Sequence, residues 1–132
     1  MKYMLLLLGD ESGWEELSED EAQAAMKAYE DYTREVIEAG AYVSGEGLQP
    51  SSTATTMRLV DRERVLTDGP FAETKEQLGG FYVLDCKDLD EVLDWAEKCP
   101  AIHAGSTIEI RPVMDYEAAG YDDPRGSEEV RG

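Results

Sequence analysis

Two helix patterns, each set between strand patterns, constrain the fold of this chain more than any other feature. The first begins with Ser18 and Glu21, which have the spacing of a capping box, and it ends before Gly40. A capping box satisfies free N–H groups of the first helical turn, and glycine is common just beyond the last one. The apolar face consists of Ala22, Ala25, Tyr29, Tyr32 and Val36. This spacing of three and four residues predicts a long amphipathic helix.

The second helix pattern is shorter. Asp88 can cap its first turn together with Glu91, and Pro100 ends it because proline cannot continue a helix. Its predicted core face consists of Leu89, Val92, Leu93, Ala96 and Cys99. Residues 101–106, which include His103, are predicted to form a loop.

Strand patterns flank both helices. Residues 3–8 are a continuous apolar run, which is typical of a central strand covered on both faces. Residues 11–17, which carry Trp14, are predicted to be a connecting loop or short turn. The remaining strands are predicted at residues 41–48, 53–60, 64–67, 78–85 and 107–112. The second and third of these are close enough in sequence to form a hairpin.

The order of these elements predicts an α+β fold. Without the inserted β-hairpin the order is βαββαβ, which is the ferredoxin-like arrangement. Two helices cover one face of such a sheet and leave the other face without a partner. An isologous contact between two copies buries both open faces at once, so we expect a homodimer.

The chain is strongly acidic. Its 132 residues suffice for one domain, and they include 30 acidic against 12 basic side chains, a formal charge of −18. Such a surface repels phosphate groups, so we expect neither nucleic acid nor an anionic membrane as a partner. The apolar run near the start is too short for a signal sequence or a membrane span, which favours a cytoplasmic location. Residues 115–132, rich in Gly and acidic residues, are expected to be a mobile or exposed tail.

The sequence offers no pattern for a metal or a cofactor. Cys86 and Cys99 do not have CxxC spacing, and His103 is the only histidine. Two sparse cysteines without an export signal are expected to be free thiols, at least one of them buried. A nucleotide or flavin motif is also absent, so we expect no cofactor.

A turn and a charged segment follow the hairpin. Residues 68–76 read DGPFAETKE and continue as QLGGF. Asp-Gly-Pro is typical of a tight turn, and residues 72–77 are predicted to form one or two helical turns with Glu73 near the N-terminus. Gly79 and Gly80, at the start of a strand, indicate a bulge or a close backbone contact.

DGPFAETKE resembles, almost letter for letter, the signature of the DGPF branch of the YCII-related proteins. Further blocks of that family's pattern are matched in order by residues 2–6, 45–50, 78–81, 94–96 with Pro100, and 109–113. The resemblance covers most of residues 1–114. It implies a domain over that range, with two sheets meeting face to face in a dimeric α+β barrel. The family is largely uncharacterised, but some members are encoded beside or fused to extracytoplasmic-function sigma factors, so it also implies sigma-factor association.

The wider superfamily resembles muconolactone isomerases and includes a dehydrochlorinase that relies on a His–Asp pair. This chain departs from that pattern, because no histidine lies in or just after its first strand. Asp10, Glu11 and Trp14 occupy that region instead. Any catalysis would therefore depend on carboxylates, and whether the chain is an enzyme stays open.

Asp68 is the candidate catalytic residue. Burial without a cation would raise its pKa and suit it to acid–base chemistry, whereas its structural alternative is to cap the Gly-Pro bend. The candidate ligand-binding residues are Phe71, Glu73, Lys75 and Arg111. Arg111 would anchor an anion or pair with Glu109, and Lys75 can instead pair with a local carboxylate. His103 is more typical of an exposed loop residue than of a catalyst.

Two functions are compatible with the sequence. The first is the binding of a small anionic molecule in a cleft at the barrel and the signature segment (residues 68–76), with isomerase- or lyase-type acid–base chemistry if the protein is an enzyme. The second is a non-catalytic sensing or interaction module linked to regulation of an extracytoplasmic-function sigma factor. An enclosed pocket would favour the first, and a large exposed apolar patch beyond the dimer surface would favour the second.

Overall fold

The computed structural model describes residues 1–126, which form an α+β fold. The strands are β1 (Lys2–Gly9), β2 (Tyr42–Gly47), β3 (Thr55–Val60), β4 (Glu63–Asp68), β5 (Gln77–Asp85) and β6 (Thr107–Pro112). The helices are α1 (Glu11–Glu15), α2 (Glu19–Glu38), α3 (Leu89–Lys98) and α4 (Pro100–His103). None of these described helices is both long and apolar enough to cross a membrane.

The main sheet is antiparallel and has the strand order β2-β5-β1-β6. β3 and β4 pair only with each other and form a separate two-stranded sheet. Without that hairpin the chain follows the order βαββαβ, with α2 and α3 as the crossover helices. The predicted ferredoxin-like α+β fold is therefore confirmed. β6 is an edge strand that ends at Pro112, a residue without an N–H group.

The core lies between the helices and one face of the sheet, with Tyr32 of α2 at its centre. The Tyr32 ring lies edge-on to the rings of Tyr82 and Trp95, at centroid distances of 5.3 Å and 6.3 Å. Its hydroxyl donates a hydrogen bond of 2.8 Å to the Trp95 carbonyl oxygen. Such edge-to-face pairs stabilise a core by about 0.5–1.5 kcal/mol beyond the burial of their area. Because Tyr82 belongs to β5 and Trp95 to α3, this cluster joins both crossover helices to the sheet.

The buried face of α3 is narrower than predicted. Val92, Ala96 and Cys99 are buried as expected, but Leu89 and Leu93 are exposed. The three buried residues are spaced by four and three positions, so they form the single stripe along which this short helix meets the sheet. The two leucines lie beside that stripe and face solvent in the single chain.

The other face of the sheet is open in the single chain. Tyr3 and Leu5 of β1 are buried beneath the helices, whereas Met4, Leu6 and Leu8 point to the opposite face and are only partly buried. The expectation that this strand is covered on both faces is therefore met on one face only, because all the helices that pack on the sheet lie on the same side.

Three local predictions are corrected. Residues 11–17 begin with the helix α1 rather than a loop, because the Asp10 side chain accepts the Ser12 N–H and caps a helical turn. Residues 101–106 begin within α4, since Pro100 both follows α3 and starts a new turn, where its missing N–H is no loss. Residues 72–77 form bends instead of helical turns, and β5 already begins at Gln77.

The predicted caps of the two long helices are confirmed. The Ser18 hydroxyl accepts the Glu21 N–H and the Glu21 carboxylate accepts the Ser18 N–H, both at 3.1 Å. Asp88 accepts the Glu91 N–H at 3.0 Å. Gly40 follows α2 with a φ of 75°. The predicted tail is mostly exposed over residues 115–126, and its last six positions, 127–132, lie outside the described residues.

A glycine pair shapes the start of β5. The register between β1 and β5 shifts between Leu7 and Leu8, so Gly79 is the extra residue of a β-bulge. Gly80 is buried, and a Cβ atom there would lie 2.9 Å from the Glu46 carbonyl oxygen and 3.3 Å from the Gly47 Cα atom. Both obstacles are backbone atoms of β2. The predicted bulge and close backbone contact are therefore both present.

We expect Gly80→Ala to lower the free energy of unfolding by about 1–3 kcal/mol, the usual cost of forcing extra volume into a packed site. Gly47→Ala is the matched control, because an added Cβ meets no atom within 4 Å there, and surface changes usually cost less than about 0.5 kcal/mol. Urea unfolding of both variants at one protein concentration measures the difference. Equal stabilities would show that β2 can move away from Gly80 without cost.

Candidate functional site

A cavity of about 440 Å³ lies between α2 and the main sheet, near the end of β1. This volume falls within the range of roughly 300–1,000 Å³ typical of small-molecule sites. Its aromatic walls are Trp14, Tyr29, Tyr42 and Tyr82. Its glycines, which contribute no side chain to fill the space, are Gly9, Gly45, Gly47, Gly79 and Gly80. The cavity is thus largely apolar, and part of its wall is glycine backbone without side chains.

Hydrogen bonds of Glu11 hold α1 in place at the rim of this cavity. One of its carboxylate oxygens accepts the Ser51 N–H and the other accepts the Ser51 hydroxyl, both at 2.7 Å. The Glu11 N–H in turn donates to the Gln77 side-chain oxygen at 3.2 Å. Since both oxygens of Glu11 are occupied, its carboxylate holds the rim together and offers little to a ligand.

Asp10 has a similar structural task at the same rim. Its carboxylate accepts the Ser12 hydroxyl at 2.7 Å and the Ser12 N–H at 2.9 Å. The hydrogen bond from the Ser12 hydroxyl lowers the pKa of Asp10 most, and the bond from the Ser12 N–H lowers it further. The positive charge of Lys75 also lowers it. Asp10 therefore stays ionised and caps α1.

Two phenols in the cavity wall are kept protonated. The Tyr82 hydroxyl and the Thr33 hydroxyl share a hydrogen bond of 2.8 Å. Tyr29 has no hydrogen-bond partner for its hydroxyl within residues 1–126, and burial, aided by the nearby Cys99 and Tyr82, raises its pKa to about 12. The Tyr29 hydroxyl is therefore a neutral donor available to a ligand.

One carboxylate of the lining is also available. The side chain of Glu15 takes part in no hydrogen bond or ion pair with the rest of the described chain. Glu46 borders the cavity as well, but it pairs in register with Phe81, which pairs with Leu6, so its side chain points to the open face of the sheet. Within the same described range, the lining includes no Lys, Arg or His. The cavity therefore combines aromatic walls, a free carboxylate and phenol donors, with no basic side chain of its own to balance an anion.

The sequence-predicted site residues do not line this cavity. Asp68 is exposed at the end of β4, opposite Thr55. Phe71 is 82% exposed, and Glu73 and Lys75 are exposed as well. The signature segment nevertheless borders the site, because Gln77, the residue that follows it, lines the cavity and donates to the Thr74 carbonyl oxygen at 2.5 Å.

Arg111 lies on the open face of the sheet, away from the cavity. It pairs in register with Met4, whereas its neighbour Ile110 pairs with the buried Leu5. Its guanidinium is 3.9 Å from the Glu109 carboxylate, and both side chains are largely exposed. In the single chain, Arg111 and Asp68 thus form no common pocket with the aromatic walls.

The remaining reactive side chains are apart from the cavity or inert. His103 is exposed on α4, with Nε2 2.6 Å from the Glu97 carbonyl oxygen. Cys86 and Cys99 are buried free thiols, as predicted. Burial raises the pKa of Cys86 to about 11 and also raises that of Cys99, so neither is a ready nucleophile. In the described part of the chain, no group of three or more His, Cys, Asp or Glu side chains could hold a metal ion.

Sequence reasoning missed the cavity because its walls come from distant segments. Only one local signal pointed to it. Gly45 and Gly47 interrupt one strand, and glycine within a strand often marks a place where a ligand or another backbone approaches closely. Trp14, placed in a loop by the pattern, belongs to α1 and closes one side.

Comparisons with known proteins agree on the fold. A family model described as the YCII-related domain matches residues 1–117. The uncharacterized protein R00369 of Rhizobium meliloti (strain 1021) is 38% identical over 117 residues, which are 88% of this chain and 94% of the relative.

A solved structure shares the architecture. It is 5-chloro-2-hydroxyhydroquinone dehydrochlorinase (TftG) from Burkholderia phenoliruptrix AC1100, in complex with 2,5-dihydroxybenzoquinone. The two structures superpose with a TM-score of 0.56 at 13% identity, over 92% of this chain and 100% of that one. At this identity, the similarity concerns the fold.

The protonated state of Tyr29 makes a testable contribution to stability. Its pKa is about 12 in the folded chain and about 10 in an unfolded one, so its contribution is complete below pH 10 and is lost as the pH rises to 12. We expect urea-unfolding free energies to fall less steeply from pH 10 to 12 in Tyr29→Phe than in the wild type. Tyr121→Phe, at an exposed position, is the control and should follow the wild type; an identical slope in Tyr29→Phe would contradict the assignment.

Proposed function

The chain belongs to the YCII-related family, and from that premise we propose that it binds a small molecule in the cavity between α2 and the main sheet. The observation that carries this proposal is the combination, in one hollow of about 440 Å³, of aromatic walls with polar groups that have no partner in the chain. Small-molecule sites have this character: apolar walls with a few convergent polar groups that fix orientation. The ligand would supply the partners that Tyr29 and Glu15 lack.

The charges of the lining indicate the ligand's class. Glu15 would accept hydrogen bonds, Tyr29 would donate one, and no described basic side chain lines the cavity. A cation is also favoured by the faces of aromatic rings. We therefore propose a planar ring compound that is neutral or positively charged. The anionic ligand predicted from Arg111 would instead have to bind at the open face of the sheet.

The structural neighbour supports a ligand of this size and shape. The dehydrochlorinase was solved with 2,5-dihydroxybenzoquinone, a single planar ring bearing oxygen atoms. A ring of that kind fits well within the cavity volume of this chain. Its oxygen atoms could accept from the Tyr29 hydroxyl and donate, where protonated, to Glu15.

Proton transfer on the bound ring is a second candidate function. It is favoured by the presence of a carboxylate without a partner and a neutral phenol in one cavity, which are the two halves of acid–base chemistry. Glu15 would accept a proton from the ligand and Tyr29 would donate one, giving isomerase- or lyase-type chemistry. Asp68 retains its proposed acid–base role only if a second copy of the chain encloses it.

A homodimer formed through the open face of the sheet is part of this proposal. Met4, Leu6 and Leu8 are partly buried there without a covering layer. A second copy would cover them and form a dimeric α+β barrel, and it would enclose Arg111 with Glu109. Arg111 could then bind an anionic ligand inside the barrel.

Association with a sigma factor, which the family resemblance implies, is the alternative function. This function predicts a large exposed apolar patch beyond the dimer surface and no enclosed pocket. The cavity favours ligand binding, whereas the exposed apolar side chains of the β3–β4 hairpin are compatible with a protein partner. Ligand binding and protein binding need not exclude each other.

We expect neutral and cationic ring compounds to raise the melting temperature of the wild type, because a ligand that binds only the folded state stabilises it by mass action. Trp14→Ala and Glu15→Gln should weaken binding by about tenfold or more, the loss of one good contact. Asp68→Asn is the matched control outside the cavity and should bind like the wild type. Binding abolished by Asp68→Asn but retained by Glu15→Gln would move the site to the signature segment.

We expect Leu6→Lys to convert a wild-type dimer into a monomer, since two lysines would face each other across a dry interface. Sedimentation equilibrium measures the mass, and retained binding of a cavity ligand shows that the variant is folded. Ile37→Lys, at an exposed position on α2 outside both the sheet and the cavity, is the control. A folded Leu6→Lys dimer would place the contact elsewhere.

A further inference from the structure

The β3–β4 hairpin, residues 55–68, projects from the fold as an arm. Its two strands pair only with each other. Asp61 and Arg62 form the turn between them, both with positive φ, as expected for a two-residue hairpin loop. An isolated two-stranded hairpin is marginally stable in water and needs a third layer or strand against it. The arm therefore lacks the support that such a hairpin requires.

One face of the arm is apolar and exposed. Met57 pairs with Leu66, and Leu59 with Arg64, so these side chains share a face. Met57, Leu59 and Leu66 are 56%, 65% and 63% exposed. Side chains of this size, adjacent on one strand pair and uncovered, are typical of a protein–protein contact.

The arm also carries a quarter of the basic residues of the chain, three of 12. These are Arg58, Arg62 and Arg64, and none of them forms an ion pair or a side-chain hydrogen bond within residues 1–126. The arm has three acidic residues as well, so it is neutral, and the formal charge of −18 belongs to the rest of the chain. Unpaired arginines on a neutral arm are complementary to an acidic surface.

We infer that the arm docks on a second copy of this chain. The apolar face of Met57, Leu59 and Leu66 contacts the partner copy, and Arg64, which lies on the same face, pairs with its carboxylates. The charges favour a second copy as the partner. The arm is neutral and has unpaired arginines, whereas the rest of this chain is strongly acidic. This contact is additional to the one proposed at the open sheet face, and it would supply the layer that the isolated hairpin needs.

Cross-linking from the tip of the arm tests the inference directly. Glu63→Cys provides an exposed thiol next to the turn, while Cys86 and Cys99 are buried, so a maleimide–benzophenone reagent labels the new site alone. Equal amounts of ¹⁴N and ¹⁵N protein are mixed, exchanged and irradiated. We expect peptides that join an arm of one isotope to the body of the other, because the arm lies on the second copy.

The energetic contribution of the arm is measured with Leu59→Ser/Leu66→Ser. We expect its dimer dissociation constant to rise by about tenfold or more, as for loss of central apolar anchors. Ile37→Ser, equally exposed but on α2, is the control and should leave the constant unchanged. Arg64→Glu should weaken the dimer most at low salt, since ionic screening reduces the contribution of exposed charges.

Three results would overturn the inference. These are cross-links confined to single chains, an unchanged dissociation constant in the leucine variant, and a wild type that is monomeric at micromolar concentration. Cross-links to a different protein in a mixed extract, with none to a second copy, would assign the arm to another partner. Binding of a cavity ligand is measured separately on each variant, so failure of the arm contact is distinguishable from failure of the proposed ligand site.

Discussion

The edge-on packing of Tyr32 against Tyr82 and Trp95 is the contact on which the rest of this structure depends. It joins α2 to β5 and to α3, and it lies over the middle of the sheet. Where this packing ends, toward the N-terminal half of α2, the strands below offer glycines in place of side chains. The cavity is therefore a consequence of the core: the helix is held rigidly at one end of the sheet and has nothing to fill the space at the other.

The sequence predicted the elements that are specified by neighbouring residues. The capping box of Ser18 and Glu21 determines where α2 begins, and the bulge at Gly79 follows from a glycine pair at a strand start. α1 was missed although Asp10, two residues before Ser12, is a suitable cap. The prediction of helical turns at residues 72–77 was wrong. Gln77 already belongs to β5, and its side chain donates to the Thr74 carbonyl oxygen, so no room is left for a helical turn.

The site was less predictable than the fold because it is assembled from segments far apart in sequence. Tyr29, Glu46 and Gln77 meet only after the sheet and α2 have packed together. The signature segment drew attention to Asp68 and Phe71 through its unusual composition, but both are exposed in the single chain. Charged residues in a distinctive segment show that the segment matters, and they do not show which side chain meets a ligand.

The edge of the main sheet has a consequence for the kind of assembly the protein can form. β6 pairs with β1 on one side only, it carries Glu109 and Arg111, and it ends at Pro112. Charges and a terminal proline discourage a further strand from adding to such an edge. Growth by strand addition, a route to fibres, is thereby obstructed at this edge of the sheet.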